Sequence, residues 1–171
     1  MSWPTLSKAD GPLRVLGVDP GLRRLGYAVI EAAGDELLLL GAGLVLTPTG
    51  APQAERLAEI ADGVESVVRD FEPHDAAMER VAFSHNVSSA LPVAEAVGVV
   101  RLALWRHGVA VHDLAPNTVK NATTSGGRAT KTEMQRTVAR LLALAETPRP
   151  PDIADAIAIA YTWLARRRWM T

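Results

Sequence analysis

Leu13-Arg14-Val15-Leu16-Gly17-Val18-Asp19-Pro20-Gly21 is the stretch that decides the fold. Leu13 to Val18 alternates and is rich in β-branched residues, the pattern of a strand, and Asp19-Pro20-Gly21 is a turn signal. Gly26-Tyr27-Ala28-Val29-Ile30 predicts a second strand, and Ala33-Gly34-Asp35 turns the chain into a third, Leu37 to Leu46. Three strands joined by short turns predict an antiparallel meander.

Beyond the meander the period changes. From near Ala51 to Phe71, Leu57, Ile60, Ala61, Val64, Val67, Val68 and Phe71 recur at steps of three and four, one face of a helix. Pro73 ends it. Ala76 to Val81 reads as a short strand. A second helix is expected from about Val87 to His107, with Ala90, Leu91, Ala94, Gly98, Leu102 and Trp105 as its core stripe and Pro92 tolerated only in the first turn or at a kink. Val93, Val97, Val100 and Leu104 form a second apolar stripe beside it. Val109 to Leu114 is a fifth strand, followed by a short helical turn around Thr118 to Ala122 and a Ser125-Gly126-Gly127-Arg128 loop. Thr130 and Glu133 make a capping box for a helix expected to end near Ala145. After Pro148, Pro150 and Pro151, Asp152 caps or opens a last helix that closes on Arg166-Arg167-Arg168. Antiparallel strands followed by alternating strands and helices predict an α/β domain: a mixed sheet with helices on both faces.

Composition agrees with one domain. The chain has 171 residues, 48% hydrophobic and 22% charged, with no cysteine. Disulfides, thiolate nucleophiles and thiolate metal sites are thereby excluded. No apolar run approaches the length of a membrane span, and Met1 to Gly11 lacks the apolar core of a signal peptide. The expectation is a cytoplasmic protein, with residues 1–12 a disordered tail and 13–171 the folded domain. Net charge is −1, but unevenly spread: residues 1–100 carry 7 Lys and Arg against 14 Asp and Glu, and residues 101–171 carry 11 against 5. An acidic centre beside a basic wall suits a metal-dependent enzyme acting on phosphates; uneven surface charge is the plainer alternative.

Four acids stand where acids are awkward. Asp19 ends an apolar strand, Glu79 lies within or at the end of another, and Asp152 and Asp155 open an apolar helix on one face. Singly, Asp19 reads as a turn residue and Asp152 as an N-cap. Together, converging carboxylates repel unless a cation lies between them. Oxygen ligands select Mg²⁺ or Mn²⁺ over zinc, and such ions move phosphoryl groups.

These residues are familiar as a set. Gly17-Val18-Asp19-Pro20-Gly21 with Gly26-Tyr27, Met78-Glu79-Arg80-Val81, and Asp152-Ile153-Ala154-Asp155-Ala156-Ile157-Ala158-Ile159-Ala160 resemble the RuvC family of Holliday-junction resolvases, in order over nearly the whole chain. The resemblance implies a ribonuclease-H-like fold with a five-stranded mixed sheet. It implies that Asp19, Glu79, Asp152 and Asp155 hold two Mg²⁺ ions, with Mn²⁺ as a substitute; some relatives have histidine where Asp152 stands. The implied reaction is hydrolysis in four-way DNA junctions: paired nicks by a homodimer, leaving 5′-phosphate and 3′-hydroxyl ends. A branch-migration helicase is the implied partner.

Lys120 and Lys131 match lysines of that family that contact DNA or assist catalysis, and Arg128 is placed with them as a DNA contact. Many relatives have phenylalanine where this chain has Ala82; Phe83, one position later, is the candidate for stacking on an unpaired base, with burial in the core as its alternative. The family's dimer interface centres on the helix corresponding to Val87–His107, which the second apolar stripe suits. Three other readings compete: an actin-like kinase or ATPase, which needs a longer chain; a junction-binding module without catalysis; and a ribonuclease-H-like enzyme acting on RNA hybrids or ribosomal RNA precursors.

Overall fold

The computed structural model describes residues 11–80, 87–123 and 130–168. Among these, the elements run β1 (Leu13–Asp19), β2 (Arg24–Ala33), β3 (Glu36–Leu46), α1 (Gln53–Phe71), β4 (Asp75–Glu79), α2 (Val87–Arg106), β5 (Ala110–Leu114), α3 (Pro116–Thr123), α4 (Lys131–Leu141) and α5 (Pro151–Arg168). The sheet order is β3-β2-β1-β4-β5. The first three strands pair antiparallel, and β1–β4 and β4–β5 pair parallel. The expected five-stranded mixed sheet is therefore present.

Strand alternation sorts side chains to two buried layers. Leu16 and Val18 of β1 and Met78 of β4 pack with Ile60, Val64, Val100 and Leu104 of α1 and α2. Val15 of β1 and Ala77 of β4 pack on the other side with Val138 of α4 and Ile157 and Ile159 of α5. By the same parity Asp19 and Glu79 lie on the α5 side of the sheet.

Local signals act as expected in most places. Glu72 leaves α1 in the left-handed region at φ 48° and donates its N–H to the Val68 carbonyl at 2.9 Å, and Pro73 follows. Thr130 and Glu133 form both halves of the capping box of α4.

Three expectations need correction. The faces of α2 are exchanged. Val97, Val100 and Leu104 are buried, while Leu91, Leu102 and Trp105 of the expected core stripe are exposed, Trp105 at 67%. Both stripes are apolar, so the period shows a helix without choosing its inner face. Second, α4 ends at Leu141 instead of Ala145: Ala143 turns left-handed at φ 48° and Leu144 N–H reaches back to the Ala139 carbonyl at 2.8 Å. This puts Leu142 into the core. Third, of the two roles expected of Asp152, it opens α5 and does not cap it. It is the second residue of the helix, after Pro151, where proline's missing N–H costs nothing. Pro92 lies within α2, in its second turn.

Candidate active site

The site is assembled by backbone contacts at one edge of the sheet. Asp19 and Glu79 end the adjacent parallel strands β1 and β4, one residue beyond the Val18–Met78 pair. Asp19 is also paired with Gly26 of β2. The first turn of α5 rests on that glycine: a Cβ added at Gly26 would stand 2.3 Å from the Asp152 carbonyl oxygen. One turn further on, a Cβ at Gly17 would stand 2.1 Å from the Ala156 carbonyl oxygen. Two side-chain-free positions thus let α5 lie directly on the β1–β2 hairpin. Asp152 and Asp155 are thereby carried to the ends of β1 and β4.

The carboxylates share one electrostatic field. Burial first, then the charges of Asp155, Asp152 and Glu79, push the Asp19 carboxyl up to about 7, with Lys131 pulling down. Burial and then Asp155 raise Glu79, against Lys120. Asp155 is raised by burial and by Asp152, against Lys131 and Lys120. All four expected acids and both expected lysines therefore act on one another. Lys120 is contributed by α3 and Lys131 is the first residue of α4, so three helices and two strands converge here.

Among the described residues, no three His, Asp or Glu side chains are drawn into a complete metal-ligand set as they stand. The donor chemistry nonetheless fits a divalent cation. The donors are all carboxylate oxygens, which hard cations take, and the burial and repulsion that raise Asp19, Glu79 and Asp155 are what a cation between them relieves.

Two further groups of contacts were not legible in the sequence. Arg24, the first residue of β2, reaches Asp152 with its guanidinium 3.6 Å from Oδ2. At the opposite end of β4, Asp75 is fully buried. It accepts hydrogen bonds from Trp163 Nε1 at 3.2 Å and from Arg167, and His112 Nε2 lies 3.3 Å away. The His112 and Trp163 rings stack at 3.8 Å. Burial would raise Asp75, but hydrogen bonds from His112 and Trp163 and the charges of His112 and Arg167 hold it below the usual range. A lone arginine at a strand start and a histidine without ligand spacing carry no signal that could have found these contacts. Phe83 and Arg128 lie outside the described residues.

An α/β sheet of this order, with acids at the ends of its two central strands and in the helix laid across them, defines a ribonuclease-H-like domain. The model of the crossover junction endodeoxyribonuclease RuvC family matches residues 15–163. The chain is 43% identical over 148 residues to the RuvC crossover junction endodeoxyribonuclease of Chloroflexus aggregans, covering 86% of this chain and 90% of that one. It is 42% identical to that of Corynebacterium jeikeium, covering 88% and 94%. Thermus thermophilus RuvC in complex with a Holliday junction substrate superposes with a TM-score of 0.82 at 34% identity, covering 92% of this chain and 96% of that one. The protein belongs to the RuvC family. Among the described residues no helix is long and apolar enough to cross a membrane.

Proposed function

We propose that this chain is a structure-selective endonuclease that resolves Holliday junctions in recombination and DNA repair. The observation that carries the reading is the mutual field of Asp19, Glu79, Asp152 and Asp155, faced by Lys120 and Lys131, in a member of the RuvC family. The four acids would hold two Mg²⁺ ions, or Mn²⁺ in their place. When bound, such ions make a water more acidic and offset charge on the departing oxygen. The chain's own part is positioning. The β1 and β4 ends fix Asp19 and Glu79, Gly26 seats Asp152, and Lys120 and Lys131 place positive charge beside the scissile phosphate. Hydrolysis by an in-line water leaves 5′-phosphate and 3′-hydroxyl ends and needs no covalent enzyme intermediate.

A junction opened to two-fold symmetry presents two equivalent strands, which a two-fold dimer meets with two sites. The exposed face of α2, with Leu91, Leu102 and Trp105, is the surface that supports such a homodimer. A branch-migration helicase is the partner that fits the same substrate, and the cytoplasm is the compartment that fits it.

The test is cleavage of labelled four-way junction, linear duplex and RNA–DNA hybrid with Mg²⁺, with Mn²⁺ and with chelator, beside Asp152→Asn. Paired, ligatable nicks in the junction alone, lost with chelator and in the variant, are expected. Preferential cleavage of the hybrid would overturn the substrate assignment, and cleavage that survives Asp152→Asn would overturn the site.

A further inference from the structure

The turn between β1 and β2 and the end of β3 enclose an open groove of about 680 Å³ that begins at Asp152 and is lined by Arg23, Arg24, Thr47 and Thr49. Its floor is fixed. Thr47, itself buried, donates its N–H to the Arg23 carbonyl at 3.3 Å and its hydroxyl to the Leu22 carbonyl at 2.7 Å. The same hydroxyl accepts from Arg56 Nε of α1 at 2.9 Å. Three bonds through one threonine hold the backbone that carries both arginines. Arg23 and Arg24 are exposed, and the Arg56 guanidinium is held on the same threonine. Asp152 is the one acid on the groove, and Arg24 already faces it.

Positive charge held on a braced turn, next to a site for phosphodiester hydrolysis, has a plain use. We propose that this groove is an auxiliary subsite for the DNA backbone, in which Arg23 and Arg24 hold phosphates of the strand beside the scissile bond. The proposal rests on the nuclease reading above and adds to it a contact that neither the acids nor the lysines supply. Arginine suits the task because its planar fork matches phosphate oxygens two at a time. Such contacts position the backbone without reading sequence.

The test is binding of the full chain to a fluorescent four-way junction in chelator, where no cleavage occurs, over a series from 50 to 200 mM NaCl. Each phosphate contact contributes about 0.9 to the slope of log K against log salt. Arg23→Gln with Arg24→Gln is expected to reduce that slope by about 1.8 and to weaken binding by on the order of tenfold or more at low salt. Arg69→Gln, on α1 beside Glu65, is the control and should leave the slope unchanged. Thermal melting of the double variant checks its folding, and Arg24→Lys should recover part of the slope.

An unchanged slope in the double variant, with the wild-type chain still binding the junction, would overturn the subsite and leave the nuclease reading standing. An equal loss in Arg69→Gln would overturn it too, by showing only general charge. A wild-type chain that binds no junction at all would take down the proposed function and the subsite together.

Discussion

Replacing Asp19 with asparagine should make the metal-free protein more stable while abolishing its chemistry. Asp19 is half-buried at the end of β1 and is pushed up to about 7 by burial and three neighbouring acids. The interval from an ordinary aspartate near ~3.9 to that value corresponds to roughly 4 kcal/mol. Local relaxation reduces it, so a gain of about 2–4 kcal/mol is expected for Asp19→Asn above neutral pH. In a domain of this size that is a rise in Tm of about 4–16 °C.

The sign follows from linkage. Between about pH 4 and pH 7 the folded chain keeps a proton that the unfolded chain has released, so wild-type stability falls as pH rises through that window. Asparagine does not titrate. The advantage of the variant should therefore be small near pH 4, grow through the window and level off above about pH 7. Urea denaturation in chelator at a series of pH values reads this directly. Millimolar Mg²⁺ should raise the wild-type Tm and raise that of Asp19→Asn much less. A variant less stable than wild type at pH 8, or a gain that does not depend on pH, would refute the reasoning.

Gly26→Ala should move the first turn of α5, because its methyl meets the Asp152 carbonyl oxygen at 2.3 Å; a loss of about 1–3 kcal/mol, with cleavage falling further than stability, is expected in paired melting and junction-cleavage assays. Asp75→Ala strands Arg167 and should cost about 3–5 kcal/mol near neutral pH. Because Asp75 is held below its usual range, its contribution is present above the unfolded value and disappears as pH falls through the folded one. The deficit of Asp75→Ala in urea should accordingly shrink in acid, as the Asp19→Asn gain does, the two differing in sign. Trp105→Glu on the exposed face of α2 should shift sedimentation toward the monomer without lowering the monomer's own Tm.

The strands were legible because each carries its pattern locally: Leu13 to Val18 alternates, and the Asp19-Pro20-Gly21 and Ala33-Gly34-Asp35 turns separate successive runs. The four acids stood out as candidates for a related reason, since each interrupts an apolar run, and the fold brings them together. What failed was what depends on neighbours distant in sequence. The inner face of α2 was misassigned because Leu91 and Trp105 are as apolar as Val100 and Leu104, and only the position of α1 decides between them. The end of α4 was overrun because Leu142 and Leu144 continue an apolar pattern, although the backbone has already turned at Ala143. Arg24 and the Asp75 cluster gave no sign because each is a single charged residue until α5 crosses the sheet and supplies Asp152 at one end and Arg167 at the other.

The seating of α5 on Gly17 and Gly26 has a consequence for how freely this protein can change. The separation between the acids of the hairpin and those of the helix is set by main chain touching main chain, without side chains as spacers. Core residues such as Val138, Ile157 and Leu142 can then be exchanged among similar volumes, raising or lowering the melting point, while the gauge of the reactive edge stays the same. Core volume and the spacing of the acids are thus set by different contacts, and the two glycines are where the two meet.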